Sequence, residues 1–137
     1  MERYRARVSG PLLDRLDALI EVPPLTLAAL DDPSAPEPSA AVRERVAAAR
    51  EFRLGRAGRV ERDGSGTGAE RRNRVSPDAR SLLRQALVRD ALSGRAYVRV
   101  MNLARTIADL DQVEEVSAEH VAEALSLRLD HRRLTFA

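Results

Sequence analysis

Four serines in this 137-residue chain stand directly ahead of segments whose apolar residues recur every three or four positions: Ser39, Ser76, Ser93 and Ser117. Serine is a favoured N-cap residue, and that spacing places apolar side chains on one face of an α-helix. The apolar residues are mostly Ala, Leu and Val, since the chain has only two Phe, two Tyr and no Trp. Side chains of this size suit closely packed helices. The sequence therefore predicts an all-α fold, a small helical bundle.

The predicted helices cover residues 40 to about 56, 77 to about 91, 94 to about 110, and a last segment that starts after Ser117. Ser76-Pro77-Asp78 is the clearest start, because it combines a cap, a proline at the first helical position and an acid in the first turn. The polar tail after Leu129 is expected to fray. The side chains predicted to face the core are Val42, Val46, Ala49, Leu82, Leu83, Ala86, Leu87, Val100, Leu103, Ile107, Leu110, Ala118, Val121, Ala122 and Leu125.

The segments outside these helices suggest how the chain is organised. Residues 16–22 are short and apolar and are stopped by Pro23-Pro24, which favours a strand. Residues 25–39 are rich in Pro, Ser and Asp and are interpreted as a linker. Residues 57–75 contain a glycine cluster and few apolar residues, so a mobile loop is expected there. The plan is a strand-bearing N-terminal part, residues 1–24, then a linker, 25–39, then a helical domain, 40–137.

Two residue types are absent, and each absence excludes a class of site. Without cysteine the chain has no disulfides and no thiolate metal site, and a reducing compartment is the natural expectation. All 23 basic residues are arginine, so the chain lacks the lysine that a phosphate-binding P-loop requires. Its first residues are too polar for a signal peptide, and it contains no apolar run long enough for a membrane span. We expect a cytoplasmic protein with no membrane partner.

Charge is concentrated in the middle of the chain. Residues 43–74 carry ten Arg against five acids, a net charge of +5, whereas residues 1–42 carry four Arg against seven acids, a net charge of −3. Arginines in such a segment can contact nucleic-acid phosphates. The acids between them equally suit a solvated helix face, so a stand-alone basic module that binds DNA or a protein remains an alternative.

Two arginines stand out as candidate functional residues. Arg15 follows a turn and runs into the apolar segment, and Arg95 lies in the first turn of a predicted helix, where free N–H groups and the helix dipole favour an anion. A structural salt bridge is the alternative for both. His120 has Glu119 and Glu123 beside it but no clear third ligand, so a surface position is expected for it rather than a metal site.

Three segments carry a resemblance to a known family: "RYRARVSGPLLDRLDALIEVP" (3–23), "VRERVAAARE" (42–51) and "LSGRAYVRVMNLARTIADL" (92–110). Together they resemble the C-terminal part of the magnesium-chelatase-like AAA+ ATPases, and most closely those of the ComM type. The intact "ARTIADL" at 104–110 is the most specific of the matches. Gly94, where alanine is expected, and "LDALIEV", in place of the usual Ile-Asp-Leu-His run, depart from the family pattern.

The resemblance implies roles for the two arginines. Arg15 would be an arginine finger that reaches the γ-phosphate on a neighbouring subunit, and Arg95 would be the sensor-2 arginine that contacts its own subunit's nucleotide. Residues 1–24 would be the end of an AAA+ core, and residues 40–137 the helical lid. We then expect residues 1–24 to be disordered, to pair with a second copy or to pack against the bundle.

The same resemblance implies the setting in which the lid works. An upstream core of the same chain would hold ATP and Mg²⁺, and the lid part alone would bind neither and would not hydrolyse ATP. The full-length protein would be a homo-oligomer, most simply a hexamer, that acts on DNA during branch migration and transformation. A metal-chelatase ATPase subunit is the alternative within the family.

Overall fold

The computed structural model describes residues 16–20, 22, 24, 26–27, 36–63, 74–89 and 92–133. These residues form four helices and one two-stranded ladder, which confirms the predicted all-α bundle. In chain order the elements are α1 (Ser39–Asp63), β1 (Arg74–Val75), α2 (Pro77–Arg89), α3 (Gly94–Leu110), β2 (Glu115–Val116) and α4 (Ala118–Arg133). No described helix is both long enough and apolar enough to span a bilayer.

Serine side chains fix the starts of α2 and α3. Ser76 Oγ accepts a hydrogen bond from the N–H of Ala79 at 3.1 Å, and Ser93 Oγ accepts one from the N–H of Ala96 at 3.2 Å. Each bond satisfies one of the N–H groups that a helix start leaves without an intrahelical acceptor. Both helices therefore begin where the sequence predicts.

The core lies around α3, which packs against α1 and α4, while α2 packs against α4. Val42, Leu110 and Ala122 were predicted to face this core, but all three are exposed. The buried face of α4 is centred on Ala124, and Ala122 lies on its other side because a helix advances by about 100° per residue. The buried cluster comprises Ala79, Leu83, Ala86, Val100, Met101, Ala104, Ile107, Ala108, Val116, Val121, Ala124 and Leu125.

A parallel ladder, which the sequence did not predict, joins the segments just ahead of α2 and α4. Arg74 pairs with Glu115 and Val75 pairs with Val116. The N–H of Ser76 also donates to the carbonyl of Val116 at 3.0 Å. Each strand leads directly into a helix, so the ladder holds the starts of α2 and α4 next to each other. Two residues per strand are too few to give a recognisable pattern in the sequence.

The first helix is longer than predicted. We expected it to end near Arg56 and residues 57–75 to form a mobile loop, but α1 continues to Asp63, and residues 74–75 form β1. The glycines and charges of this segment concealed the helix, because propensity is a weak guide where tertiary contacts anchor a helix. The rest of the expected loop, 64–73, lies outside the described residues.

The expected strand at residues 16–22 is not observed. Residues 16–20 and 22 are described and lie in no β-ladder. We call residues 16–20 the strap, because this segment lies against the bundle. The N–H of Leu19 donates to the carbonyl of Leu127 at 3.0 Å, so the strap bonds to a helix rather than to a sheet. Packing against the bundle is thus the outcome for this part of residues 1–24.

Candidate functional site

Arg95 occupies the second position of α3, at an ordered helix start. The N-cap residue Ser93 has extended backbone angles, φ −66° and ψ 157°, and its carbonyl accepts a hydrogen bond from the N–H of Tyr97 at 3.0 Å. Ser93 Oγ accepts a hydrogen bond from the N–H of Ala96. The N–H groups of Gly94 and Arg95, in the first turn, have no intrahelical acceptor. The Arg95 side chain is exposed beside them. A guanidinium and two free N–H groups therefore face solvent at the positive end of a helix dipole.

The three arginines of α3 differ in their partners. Arg99 pairs with Asp17, and Arg105 pairs with Asp109. Arg95, by contrast, makes no ion pair or side-chain hydrogen bond to another residue in the described part of the chain. The salt-bridge alternative for Arg95 therefore has no partner among these residues. Arg15 lies outside the described residues, and its role stays a prediction.

A pair of arginines and one carboxylate form a buried ion cluster, made of Arg56, Arg105 and Asp109. Arg56 donates to Asp109 through Nε and Nη2, each at 3.1 Å, and Arg105 donates to the same carboxylate through Nε at 3.1 Å. Arg105 is 5% exposed and Asp109 is 4% exposed. The cluster joins α1 to α3 across 53 residues of sequence.

The remaining donors of Arg105 hold the loop that follows α3. Nη1 donates to the carbonyl of Glu114 at 2.6 Å, and Nη2 donates to the carbonyl of Val113. Gln112 turns the chain there in the left-handed region, at φ 57°. Burial lowers the pKa of the Arg105 guanidinium, the charge of Arg56 lowers it further, and the Asp109 carboxylate opposes both. An arginine remains protonated in proteins, so two cations share the Asp109 carboxylate.

Most of "ARTIADL" is explained by this packing. Ala104, Ile107 and Ala108 are core residues, and Arg105 and Asp109 belong to the buried ion cluster. The cluster was not predicted from the sequence. An arginine and an aspartate four residues apart on a helix were a usable signal for their pairing. No local pattern announces that Arg56 joins them, because that contact depends on how two helices pack.

His120 is 8% exposed, so the expectation of a surface position for this histidine was wrong. Its Nδ1 accepts a hydrogen bond from the N–H of Ser117 at 2.9 Å and lies 3.1 Å from Ser117 Oγ. Its Nε2 lies 3.1 Å from Asp111 Oδ2. This Ser-His-Asp contact caps the start of α4. Nδ1 already accepts a backbone N–H and is therefore not free to act as a base. Among the described residues no group of three potential ligands could hold a metal ion.

Comparison with known proteins assigns the family. The family described as "Magnesium chelatase, subunit ChlI C-terminal" matches residues 36–128, which run from just ahead of α1 well into α4. The chain belongs to the magnesium-chelatase-like AAA+ family. Within this family it is 40% identical to the competence protein ComM of Haemophilus influenzae over 127 residues, which are 92% of this chain and 25% of that protein. The resemblance drawn from the sequence is thereby confirmed.

Other members of the family are similar over the same part. The chain is 35% identical to the uncharacterized protein YifB of Escherichia coli over 133 residues, 96% of this chain and 26% of YifB. It is 37% identical to the uncharacterized protein Rv2897c of Mycobacterium tuberculosis over 130 residues, 92% of this chain and 26% of that protein. The chain thus spans about a quarter of the length of the curated relatives that it matches. No solved structure gives a significant match.

Proposed function

We propose that this chain is the helical lid of an AAA+ ATPase and that Arg95 contacts the phosphates of a bound nucleotide. The observation that carries the proposal is the exposed guanidinium of Arg95 beside the free N–H groups at the capped start of α3. Helix starts of this kind favour anions, and the planar guanidinium matches the geometry of phosphate oxygens. The lid would respond to whether the γ-phosphate is present by closing over the nucleotide or opening.

ATP and Mg²⁺ belong to the proposal as ligands of the full-length protein. The residues at the start of α3 fit a phosphate group. They do not fit a P-loop, because the chain has no lysine, and the described residues offer no cluster of metal ligands. A core domain preceding the lid would therefore bind ATP and hold Mg²⁺, which neutralises phosphate charge when bound. The lid by itself would not hydrolyse ATP.

Arg15 completes the proposal as an arginine finger. Placed on the segment that precedes the lid, it would reach the γ-phosphate of a nucleotide on the neighbouring subunit, which requires a homo-oligomer such as a hexamer. An arginine finger stabilises the charge that develops on the transferring phosphoryl group. This assignment rests on the resemblance of "SGPLLDR" at residues 9–15 to the family pattern.

DNA is the substrate we propose for the motor, in the cytoplasm, because one relative is a competence protein and the chain is 40% identical to it. A metal-chelatase ATPase subunit is the alternative that the family description itself supports.

The stand-alone basic module is a third possibility, supported by Arg43, Arg50 and Arg53, which are exposed on α1. Binding of DNA by this chain alone, weakening steeply with salt, would favour the basic module.

The test substitutes each arginine in the full-length protein and measures ATP affinity and turnover separately. Arg15→Ala should lower turnover by about 10³–10⁵-fold while ATP binding stays nearly intact. Arg95→Ala should weaken ATP binding or turnover by at least tenfold, the order expected for losing a charged phosphate contact. Arg80→Ala, an exposed arginine on α2, is the matched control and should change neither. Unchanged turnover in Arg15→Ala would remove Arg15 from the mechanism, and unchanged affinity and turnover in Arg95→Ala would do the same for Arg95.

A further inference from the structure

Three contacts fix the strap to two helices at once. Arg99 Nη1 lies 2.6 Å from Asp17 Oδ1, which ties the strap to α3. Arg128 Nη1 donates to the carbonyl of Leu16 at 3.0 Å, and the N–H of Leu19 donates to the carbonyl of Leu127, which together tie it to α4. The bond from Leu19 involves no side chain and the bond from Arg128 involves one, whereas the ion pair depends on an identified side chain at each end.

The ion pair joins the two segments that carry the proposed nucleotide-directed arginines. Arg99 is four residues after Arg95, so both side chains lie on the same face of α3. Asp17 is two residues after Arg15, at the start of the strap. A change in the position of α3 would therefore be transmitted to the strap through a contact one turn away from Arg95.

We propose that Asp17 and Arg99 are positioning residues that clamp the strap to the helix bearing Arg95. The proposal rests on the proposed function, because it gives the clamp its role: the lid and the chain that directly follows Arg15 move as one unit when nucleotide binds. Neither residue touches nucleotide. Their effect is to keep a response at the start of α3 coupled to the segment that precedes the lid.

The physical basis of the clamp is a partly shielded ion pair. The Arg99 side chain is 30% exposed and that of Asp17 is 63% exposed, so solvent weakens their attraction. Such a pair changes the equilibrium between the docked and the released strap by a few-fold, and it does not decide whether the bundle folds. A clamp of this strength suits a segment that must dock and release, because a much stronger pair would lock the strap in place.

The first experiment measures amide hydrogen exchange of Leu19 by NMR in this chain. Its N–H is protected only while the strap is docked on Leu127. Arg99→Gln keeps a good helix former and removes the charge, and should speed Leu19 exchange about two- to fivefold. Arg80→Gln is the matched control and should leave it unchanged. The charge swap Asp17→Arg with Arg99→Asp should restore protection that each single reversal loses. Equal Leu19 exchange in Arg99→Gln and the unmodified chain, or no recovery in the swap, would overturn the clamp.

The second experiment separates the clamp from the proposed function. In the full-length protein, Arg99→Gln should lower kcat about two- to fivefold with the KM for ATP unchanged, and the charge swap should recover kcat. A merely structural role of the ion pair would change Leu19 exchange and leave kcat unchanged, since the charge swap restores a structural pair as well as a functional one. Failure of the proposed function would leave Arg95→Ala without effect on ATPase while Leu19 exchange still responds to Arg99→Gln. Failure of the clamp would give the reverse: Arg95→Ala would impair ATPase, and Leu19 exchange would not respond.

Discussion

At the residue scale, one carboxylate decides how two arginines can be buried. Asp109 accepts hydrogen bonds from Arg56 and Arg105, and the remaining donors of Arg105 reach the carbonyls of Val113 and Glu114. A buried guanidinium is tolerated only when its donors are satisfied and its charge is compensated. Asp109 is the carboxylate that both arginines share, so the contact between α1 and α3 at this cluster depends on it.

Replacing this carboxylate should be strongly destabilising. Asp109→Asn keeps the shape of the side chain but removes the negative charge that Arg56 and Arg105 share. Breaking a buried ion pair from one side costs about 3–5 kcal/mol, and we expect a loss of that size in the free energy of unfolding. Urea unfolding followed by circular dichroism measures it. The exposed Glu44→Gln on α1 is the control and should stay within about 0.5 kcal/mol of the unmodified chain. A loss below about 1 kcal/mol for Asp109→Asn would show that water reaches the cluster.

The different environments of the three arginines of α3 could be predicted from the sequence only in part. It singled out Arg95 correctly as a residue in the first turn of a helix, because a serine cap and a helix start are local patterns. It did not foresee that Arg99 pairs with Asp17 or that Arg105 is buried. The contact of Arg99 spans 82 residues, and the burial of Arg105 depends on the packing of α1 against α3, so neither follows from a local pattern.

At the element scale, α1 shows how a tertiary anchor extends a helix through unfavourable sequence. Two glycines, Gly55 and Gly58, lie in its second half, and each weakens a helix relative to alanine. Arg56 lies between them and donates two hydrogen bonds to Asp109 on α3. This contact fixes the helix where its own propensity is lowest, which is why the end predicted near residue 56 fell short.

An alanine at position 58 should therefore stabilise the chain. A Cβ built on Gly58 meets no other atom within 4 Å, so the substitution creates no clash. Gly58→Ala should raise the free energy of unfolding by about 0.5–1 kcal/mol, because alanine loses less backbone entropy in a helix. Chemical unfolding should show a higher midpoint with an unchanged slope. A lower midpoint would mean that α1 needs a glycine at this position for close packing.

Helix starts were predictable in this chain, whereas helix ends and the strand pairing were not. Ser76 and Ser93 mark starts through side-chain bonds to residues three positions on. The ladder between residues 74–75 and 115–116 has no periodic signal of its own. It exists because α2 and α4 pack side by side and bring two extended dipeptides together. Elements that form only through tertiary contacts are therefore the ones that a single sequence does not predict.

At the scale of the whole molecule, the fold and the proposed mechanism use different parts of the chain. The buried cluster runs from Ala79 to Leu125, and the family match begins at residue 36. The strap contributes side chains that are exposed or partly buried, such as Ile20 at 73% exposure. The bundle should therefore not depend on the strap for its fold, although the proposed mechanism depends on it for coupling.

A variant that begins at residue 36 tests this separation. It loses the strap's ion pair and its two hydrogen bonds to α4, together worth about 1–3 kcal/mol. We expect a cooperative thermal transition at a somewhat lower Tm, with the helical circular dichroism of α1 to α4 retained. A broad, non-cooperative transition would contradict this and would make the strap part of the core. If the variant folds as expected, it keeps Arg95 on an intact α3 and lacks Asp17. Any response of α3 to triphosphate that remains in this variant then comes from the helix start alone.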